Sequence, residues 1–391
     1  MKRWWLLLFA FVATRSYLLA AARWPINVAA SSNDIALYEG WARRIVQGAW
    51  PYGDVAIEYP PGSLPFMLLP RLAAGVLSYE VAFTILMVAI DIAGALGLLA
   101  IARRTRVTTG LWVWILGTFL LGPIVYGRLD LAPAVITIWA VERISAGSPA
   151  GSGALFAFGA VTKLYPAVLV PGAWWHSRDR LRFIIGAGIV TALALVPFSG
   201  VLPGLWDSVV GYHGGRAIQI ESSWGAALMI AREAGYDPML EFSAGALHFR
   251  PPIVGTLKMG AALASLIGVV AATWVVVRRV ARGDHGAATA GLYGVLAVTM
   301  FASTVLSPQF VVWLIALAGA ALCFEIPSLR RPLLLVLPIA ALTQLEFPFM
   351  FTDLRDGDIA ALTILVARNV LILVSGIAVL VSLSARRPRS V

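Results

Sequence analysis

The chain has 391 residues, of which 60% are hydrophobic and 13% charged, about half the charged share usual in a soluble domain. A soluble globular protein is excluded, and length then sets the number of membrane spans. The formal charge is +10, but the basic residues gather in short loops between apolar runs. That is a topology pattern and excludes a nucleic-acid-binding surface.

A span needs about 20 apolar residues. The first run, 4–22, follows Lys2 and Arg3 as a signal peptide would. Its apolar part is longer than a signal core and no convincing cleavage site follows, so it reads as a retained first span. Further spans are predicted near 79–102, 108–126, 131–146, 151–163, 165–177, 182–199, 253–278, 288–306, 309–325, 332–348 and 358–383. The fold class is all-α: a polytopic membrane protein of about 12 transmembrane helices, one domain over 1–391. The pair at 151–177 is short, and reads as two spans or as a re-entrant pair buried in protein.

Alternate loops are basic: Arg103, Arg104 and Arg106; Arg143; Arg178, Arg180 and Arg182; Arg278, Arg279 and Arg282; Arg330 and Arg331; then Arg386, Arg387 and Arg389. This predicts both termini in the cytoplasm. The opposite face then carries two large external segments, 23–78 and 200–252, and short turns including GRLD at 127–130, the Lys163 corner and SPQ at 307–309. No internal repeat or low-complexity segment interrupts the pattern. The only cysteine, Cys323, lies in an apolar run, where burial disfavours the thiolate.

In the first external segment, SSNDIALYEGWARR (31–44) predicts an amphipathic interfacial helix over 34–47. Ser31 to Asn33 are good caps, and Leu37, Tyr38, Trp41 and Ile45 repeat at helical spacing on a membrane-facing side. Gly48 is a C-terminal stop. Asp34 falls in the first turn, where the helix dipole favours an ionised carboxylate. WPYGD (50–54) and EYPPG (58–62) read as turns, and 64–78 as a second helix near the outer surface.

The order NDIALYEGW, PYGDVAIEYPP, GRLDLAPA, VTKLYPAVLVP and LSPQFVVWL resembles lipid-linked-sugar glycosyltransferases of the GT-C class. The closest family is the actinobacterial polyprenol-phosphate-mannose-dependent α-mannosyltransferases. The likeness covers nearly the whole chain and rests on motif order and spacing. It implies a multi-span fold with its site on the outer face of the cytoplasmic membrane. It also implies inverting transfer of a sugar from a polyprenyl-phosphate carrier to a glycolipid or glycan acceptor. An acid of the first external loop is the family's general base, and Asp34 is the residue that matches. The paired-acid version of some relatives is not kept, because Ala36 stands where the second acid would be.

The chemistry asks for a base at the acceptor hydroxyl, cations at the departing phosphate and a lipid groove. Arginine or lysine can balance a monophosphate, so no metal or other cofactor is required. Lys163, at an apolar corner, is expected at the phosphate with Tyr165 beside it, or else to snorkel or pair with an acid. Arg216 and His213 belong to the polar stretch YHGGRAIQIESSWG (212–225), read as a loop over the site. Glu58 is a rival base or an acceptor contact, and Tyr38 and Tyr59 are further substrate contacts. Gln309 binds sugar or holds the ninth and tenth spans together. Asp130 is expected to pair with Arg128 within the GRLD turn. Trp24, Trp50 and Trp224 are expected as interfacial anchors, and Glu142 and Lys258 near span ends as facing the interfaces.

Two other classes compete. Asp91, mid-span, could pair with Arg15 or mark the ion path of a transporter or lipid flippase. The absence of repeat symmetry speaks against a transporter. A non-catalytic assembly subunit would show no cavity around Asp34. The partners of the enzyme reading are membrane lipids, the polyprenyl-phosphate-linked donor and the acceptor.

Overall fold

The structure is a computed structural model that describes residues 2–236, 239–243, 245–250 and 253–385. The basic C-terminal cluster Arg386, Arg387 and Arg389 lies outside the described residues.

The main helices are α1 (Lys2–Ala21), α2 (Pro25–Val46), α3 (Tyr79–Thr105), α4 (Thr109–Leu121), α5 (Leu131–Ser145), α6 (Pro149–Thr162), α7 (Arg180–Leu195), α8 (Ser223–Glu233), α9 (Ile253–Arg279), α10 (His285–Ala302), α11 (Val311–Leu322), α12 (Pro327–Leu334), α13 (Val336–Gln344) and α14 (Ile359–Ala385). Among the described residues seven helical stretches are long and apolar enough to cross a membrane: 4–21, 79–105, 180–215, 254–279, 285–302, 327–349 and 359–385. This is a membrane-embedded helical protein. The other predicted spans correspond to shorter helices, α4, α5, α6 and α11. Residues 151–177 form α6, a 3-10 turn at Tyr165–Leu169 and a short helix at Val170–His176, with Pro166 and Pro171 dividing the pieces.

α5 and α11 are almost wholly buried and form the centre, with α3, α4, α6 and α10 packed on them. α7 and α9 lie at the rim, with their apolar side chains largely exposed, as lipid-facing helices require. Where helices start, the sequence supplies caps: Ser78 Oγ accepts from Val81 N at 3.4 Å, Asp284 Oδ1 from Ala287 N at 3.0 Å and Ser222 Oγ from Gly225 N at 2.9 Å.

Within residues 23–78 the structure corrects several expectations. α2 starts at Pro25, not Asp34, because the proline fits the first turn. Residues 31–33 therefore lie within the helix rather than at its start, and Asp34 is mid-helix, away from the dipole's end. Tyr38 and Trp41 are buried in the protein core rather than in lipid. The predicted stop holds: Gly48 takes φ +101°, and Ala49 N reaches back to Arg44 O at 3.0 Å. The helix expected over 64–78 is instead two short turns, Leu64–Leu68 and Leu69–Ala73, each with a proline near its start.

The second external segment is not wholly helical or irregular. It holds a small antiparallel sheet, β1 (Ile218–Gln219), β2 (Leu240–Ser243) and β3 (Ala246–Phe249), in the order β1-β3-β2. Ile218, Phe249, Leu228 and Met229 form a second core with Leu362 and Leu365 of α14. Gly225 lets α8 close on β1: an added Cβ would lie 2.2 Å from Gln219 O.

The intramembrane charges are paired. Arg15 donates to both Asp91 oxygens, at 2.8 and 3.0 Å, and Trp114 Nε1 and Tyr126 OH donate to the same carboxylate at 2.8 and 2.7 Å. Asp91 is fully buried, so it is a structural junction of α1, α3 and α4 and opens onto no path. Glu142 is also buried, against expectation, and held by Arg104 and Arg143. Trp24 and Trp50 are exposed as anchors would be, whereas Trp224 is tied inward through Nε1 to Ala302 O at 2.9 Å. Lys258 donates to Gly214 O at 2.8 Å, tethering the 212–225 loop.

Candidate active site

One cavity of about 1370 Å³ gathers residues far apart in sequence: Asp34 from α2, Glu58 and Tyr59 from the EYPP turn, Arg128 before α5, Lys163 and Tyr165 after α6, His213 and Arg216, Gln219 and Glu221 around β1, and Gln309 before α11. Of the residues predicted from sequence only Tyr38 is missing from its wall. Tyr38 is fully buried behind Tyr59, the two hydroxyls 3.3 Å apart. It is a support for the wall, not a substrate contact.

The ion pairs differ from those expected. Arg128 does not pair with Asp130 inside its own turn. It pairs with Asp34 and donates to Ala30 O at 2.9 Å, one turn earlier on α2. Burial pulls the guanidinium down to about 10, against Asp130 and Glu221, which push it up, so it stays charged at neutral pH. Asp130 instead takes Lys163, with Nζ 2.8 and 2.9 Å from its two oxygens. Had Arg128 and Asp130 paired with each other, Asp34 and Lys163 would each have lost the opposite charge that packing brings within reach.

Lys163 sits in an aromatic cage. Its Nζ lies 4.9 Å from the Tyr59 ring centre, 5.0 Å from Phe310 and 5.6 Å from Trp313. Such ring faces attract a cation. Tyr165 lends the cavity its ring, stacked on Trp313 at 3.9 Å. Its hydroxyl does not face a ligand as expected; it lies 3.2 Å from Thr137 Oγ1, and burial pushes its pKa up.

Arg216 is different from the other two cations. Among the described residues no carboxylate lies within ion-pair distance of it, and its buried Nε has no hydrogen-bond partner. The guanidinium lies 5.9 Å from the Tyr212 ring. Nearby, His213 Nε2 is 3.1 Å from Glu58 O, which binds the loop to the EYPP turn. Glu58 itself has no cation partner among the described residues, and Tyr212 hydrogen-bonds to its side chain.

At the SPQ turn the structural role falls to Ser307, not Gln309. Gln219 joins β1 to this turn: its Oε1 accepts from Leu306 N at 3.2 Å and its Nε2 lies 3.2 Å from Ser307 Oγ. The Gln309 side chain is left at the cavity wall with no protein hydrogen bond among the described residues. Gln219 Nε2 also donates to Glu221 Oε2. Burial, then the neighbouring Glu346, raises the Glu221 carboxyl above the usual range.

Sequence reasoning missed Arg128, Phe310 and Trp313 as parts of the wall. Arg128 carried a usable signal: an acid and a base two residues apart in an apolar stretch must both find partners when buried. The aromatic residues of SPQFVVW carried none, because lipid anchors and core residues use the same types. No group of His, Cys, Asp or Glu able to hold a metal ion occurs among the described residues.

A helical membrane protein with one large cavity, lined by carboxylates and cations and walled by aromatic rings, has the apparatus of a transferase acting on a polar group presented at a membrane. A family model for glycosyltransferase family 87 matches residues 57–308, well over half of the chain, and the chain belongs to that family: it is a membrane glycosyltransferase. Among curated proteins none matches it. Glu58, Arg128, Lys163, His213, Arg216 and Glu221 lie inside the matched stretch; Asp34 and Gln309 lie outside it.

Proposed function

We propose that this glycosyltransferase moves a sugar, mannose by its resemblance, from a polyprenyl-phosphate carrier to a hydroxyl of a glycolipid or glycan acceptor on the outer face of the cytoplasmic membrane. The observation that carries this reading is Arg216, a cation with no carboxylate within ion-pair distance among the described residues, on the same cavity wall as the carboxylates of Asp34 and Glu58. A bound phosphate supplies the missing anion.

Asp34 takes the proton of the acceptor hydroxyl as that oxygen attacks the anomeric carbon. The bond from this carbon to the phosphate oxygen breaks on the opposite side, its electron pair stays on the phosphate, and the anomeric configuration inverts. Arg216 balances the phosphate charge. Lys163, already neutralised by Asp130, adds a local donor and fixes the aromatic wall. Arg128 orients Asp34 and holds it on the cavity side of α2. Glu58, His213 and Gln309 contact sugar hydroxyls, with Glu58 held in place by Tyr212.

The test is transfer from a panel of polyprenyl-phosphate sugars by purified protein in lipid. Asp34→Asn should lower kcat about 100-fold or more, the scale of a general base, with donor binding retained. An Asp34→Asn enzyme that turns over normally, beside a dead Glu58→Gln enzyme, would transfer the base role to Glu58.

A further inference from the structure

Glu221 is 2% exposed, yet it lines the cavity. Three neighbours fix it. Its backbone carbonyl accepts from Arg368 Nη2 at 3.1 Å and Asn369 Nδ2 at 3.3 Å, and its Oε2 accepts from Gln219. Its other carboxyl oxygen, Oε1, has no hydrogen-bond partner. Leaving such an atom buried and unpaired costs stability, so an unfilled acceptor in a well-fixed carboxyl calls for a donor from elsewhere. Arg368 of the same cluster does not meet this need: its Nη2 donates to the Glu221 carbonyl and faces Glu346 at 3.5 Å, and it makes no hydrogen bond to Oε1. Arg128, whose charge Glu221 feels, is committed to Asp34.

We infer that Glu221 Oε1 is a hydroxyl-binding contact for the sugar of the donor, in the same cavity as Asp34 and Arg128 and held by Gln219. This deepens the lipid-phosphate-sugar reading and rests on it. A carboxyl with one oxygen clamped and the other open has the geometry for a sugar hydroxyl: the open oxygen accepts the ligand's O–H, and clamping removes the entropy cost of ordering the side chain. The phosphate is better placed toward Arg216, which has no carboxylate within ion-pair distance among the described residues. The cavity therefore divides its ligand, with the anion toward Arg216 and the hydroxyls toward Glu221.

The test is equilibrium binding to purified protein in lipid nanodiscs, which needs no acceptor. Probes are polyprenyl-phosphate mannose, glucose and arabinose, the monodeoxy forms of the tightest, and bare polyprenyl phosphate of the same chain length. In the wild type one sugar-bearing probe should bind roughly tenfold or more tightly than bare lipid phosphate, and one monodeoxy form should lose most of that gain. Glu221→Gln should lose the gain while binding bare lipid phosphate as the wild type does. The inference is overturned by an unchanged gain in Glu221→Gln, by a wild type that shows no gain, or by monodeoxy forms that all bind normally. Loss of bare-lipid binding in the variant would show a structural role and also overturn it. A wild type that binds no polyprenyl phosphate at all is a separate result: it removes the donor reading on which the contact rests.

Discussion

Arg128 reaches back to α2 twice, pairing with the Asp34 carboxylate and donating to the Ala30 carbonyl at 2.9 Å. The turn before α5 is thereby locked to α2, and the Asp34 carboxylate is given a fixed direction. Arg128→Lys keeps the charge but loses the fork. It should lower kcat about tenfold with a smaller change in donor affinity. In a double-mutant cycle, Asp34→Asn with Arg128→Lys should cost clearly less than the product of the two single losses, because both act on one pair.

Lys163 and Arg216 are both cations of the cavity, but only Lys163 has an acid partner. Arg216→Ala should weaken binding of bare polyprenyl phosphate roughly tenfold or more while leaving the protein folded. Lys163→Ala leaves Asp130, 1% exposed, as an unpaired buried charge, and should destabilise by about 3–5 kcal/mol. Adding Asp130→Asn to Lys163→Ala should recover part of the melting temperature without restoring activity. Thermal unfolding in detergent checks the first outcome and donor turnover the second.

Arg15 and Asp91 should behave as scaffold. Asp91→Ala strands Arg15 among α1, α3 and α4 and removes an acceptor shared with Trp114 and Tyr126. The expected loss is about 3–5 kcal/mol of stability, seen as less folded protein. Activity per folded molecule should stay near that of the wild type. A large fall in specific activity in fully folded Asp91→Asn protein would count against a scaffold role and revive the transport reading.

Gly62 ends the EYPPG turn against the last turn of α6. An added Cβ would lie 2.7 Å from Val161 O, and Thr162 Oγ1 donates to Gly62 O at 3.3 Å. Gly62→Ala should push this turn away from Lys163 and Tyr59, loosening the aromatic cage. The measurable result is a loss of donor affinity several-fold larger than that of Gly40→Ala, a position with open space around it.

The small sheet should be sensitive to acid. Burial, then the charge of Arg216, pulls His248 down to about 4 from the ordinary 6.5. An unfolded histidine takes its proton near pH 6.5, the folded one only near 4. The stability tied to the neutral ring is complete above about pH 6.5 and is lost as pH falls toward 4. Hydrogen exchange of 218–249, corrected for its intrinsic pH dependence, should quicken over that window, and His248→Gln should flatten the response.

Several features were legible in the residues alone. The apolar runs and arginine-rich loops define a helical membrane protein, because hydrophobic length and charge placement are properties of each segment by itself. Gly48 marked the end of α2 for a similarly local reason. The start of α2 was misread, since Ser31 to Asn33 are good caps in any chain but Pro25 and packing against the core carry the helix through them.

The sequence by itself determined the class of protein, the segments that bear polar chemistry and most of the residues that meet in the cavity. Only the tertiary structure decided who pairs with whom: Arg128 with Asp34, Lys163 with Asp130, Gln219 with Glu221, and Arg216 with no acid among the described residues. Partnership depends on distances across elements distant in the chain, and a buried charge takes whichever opposite charge the packing brings within reach. That choice separates the cations that build the wall from the one left for a ligand.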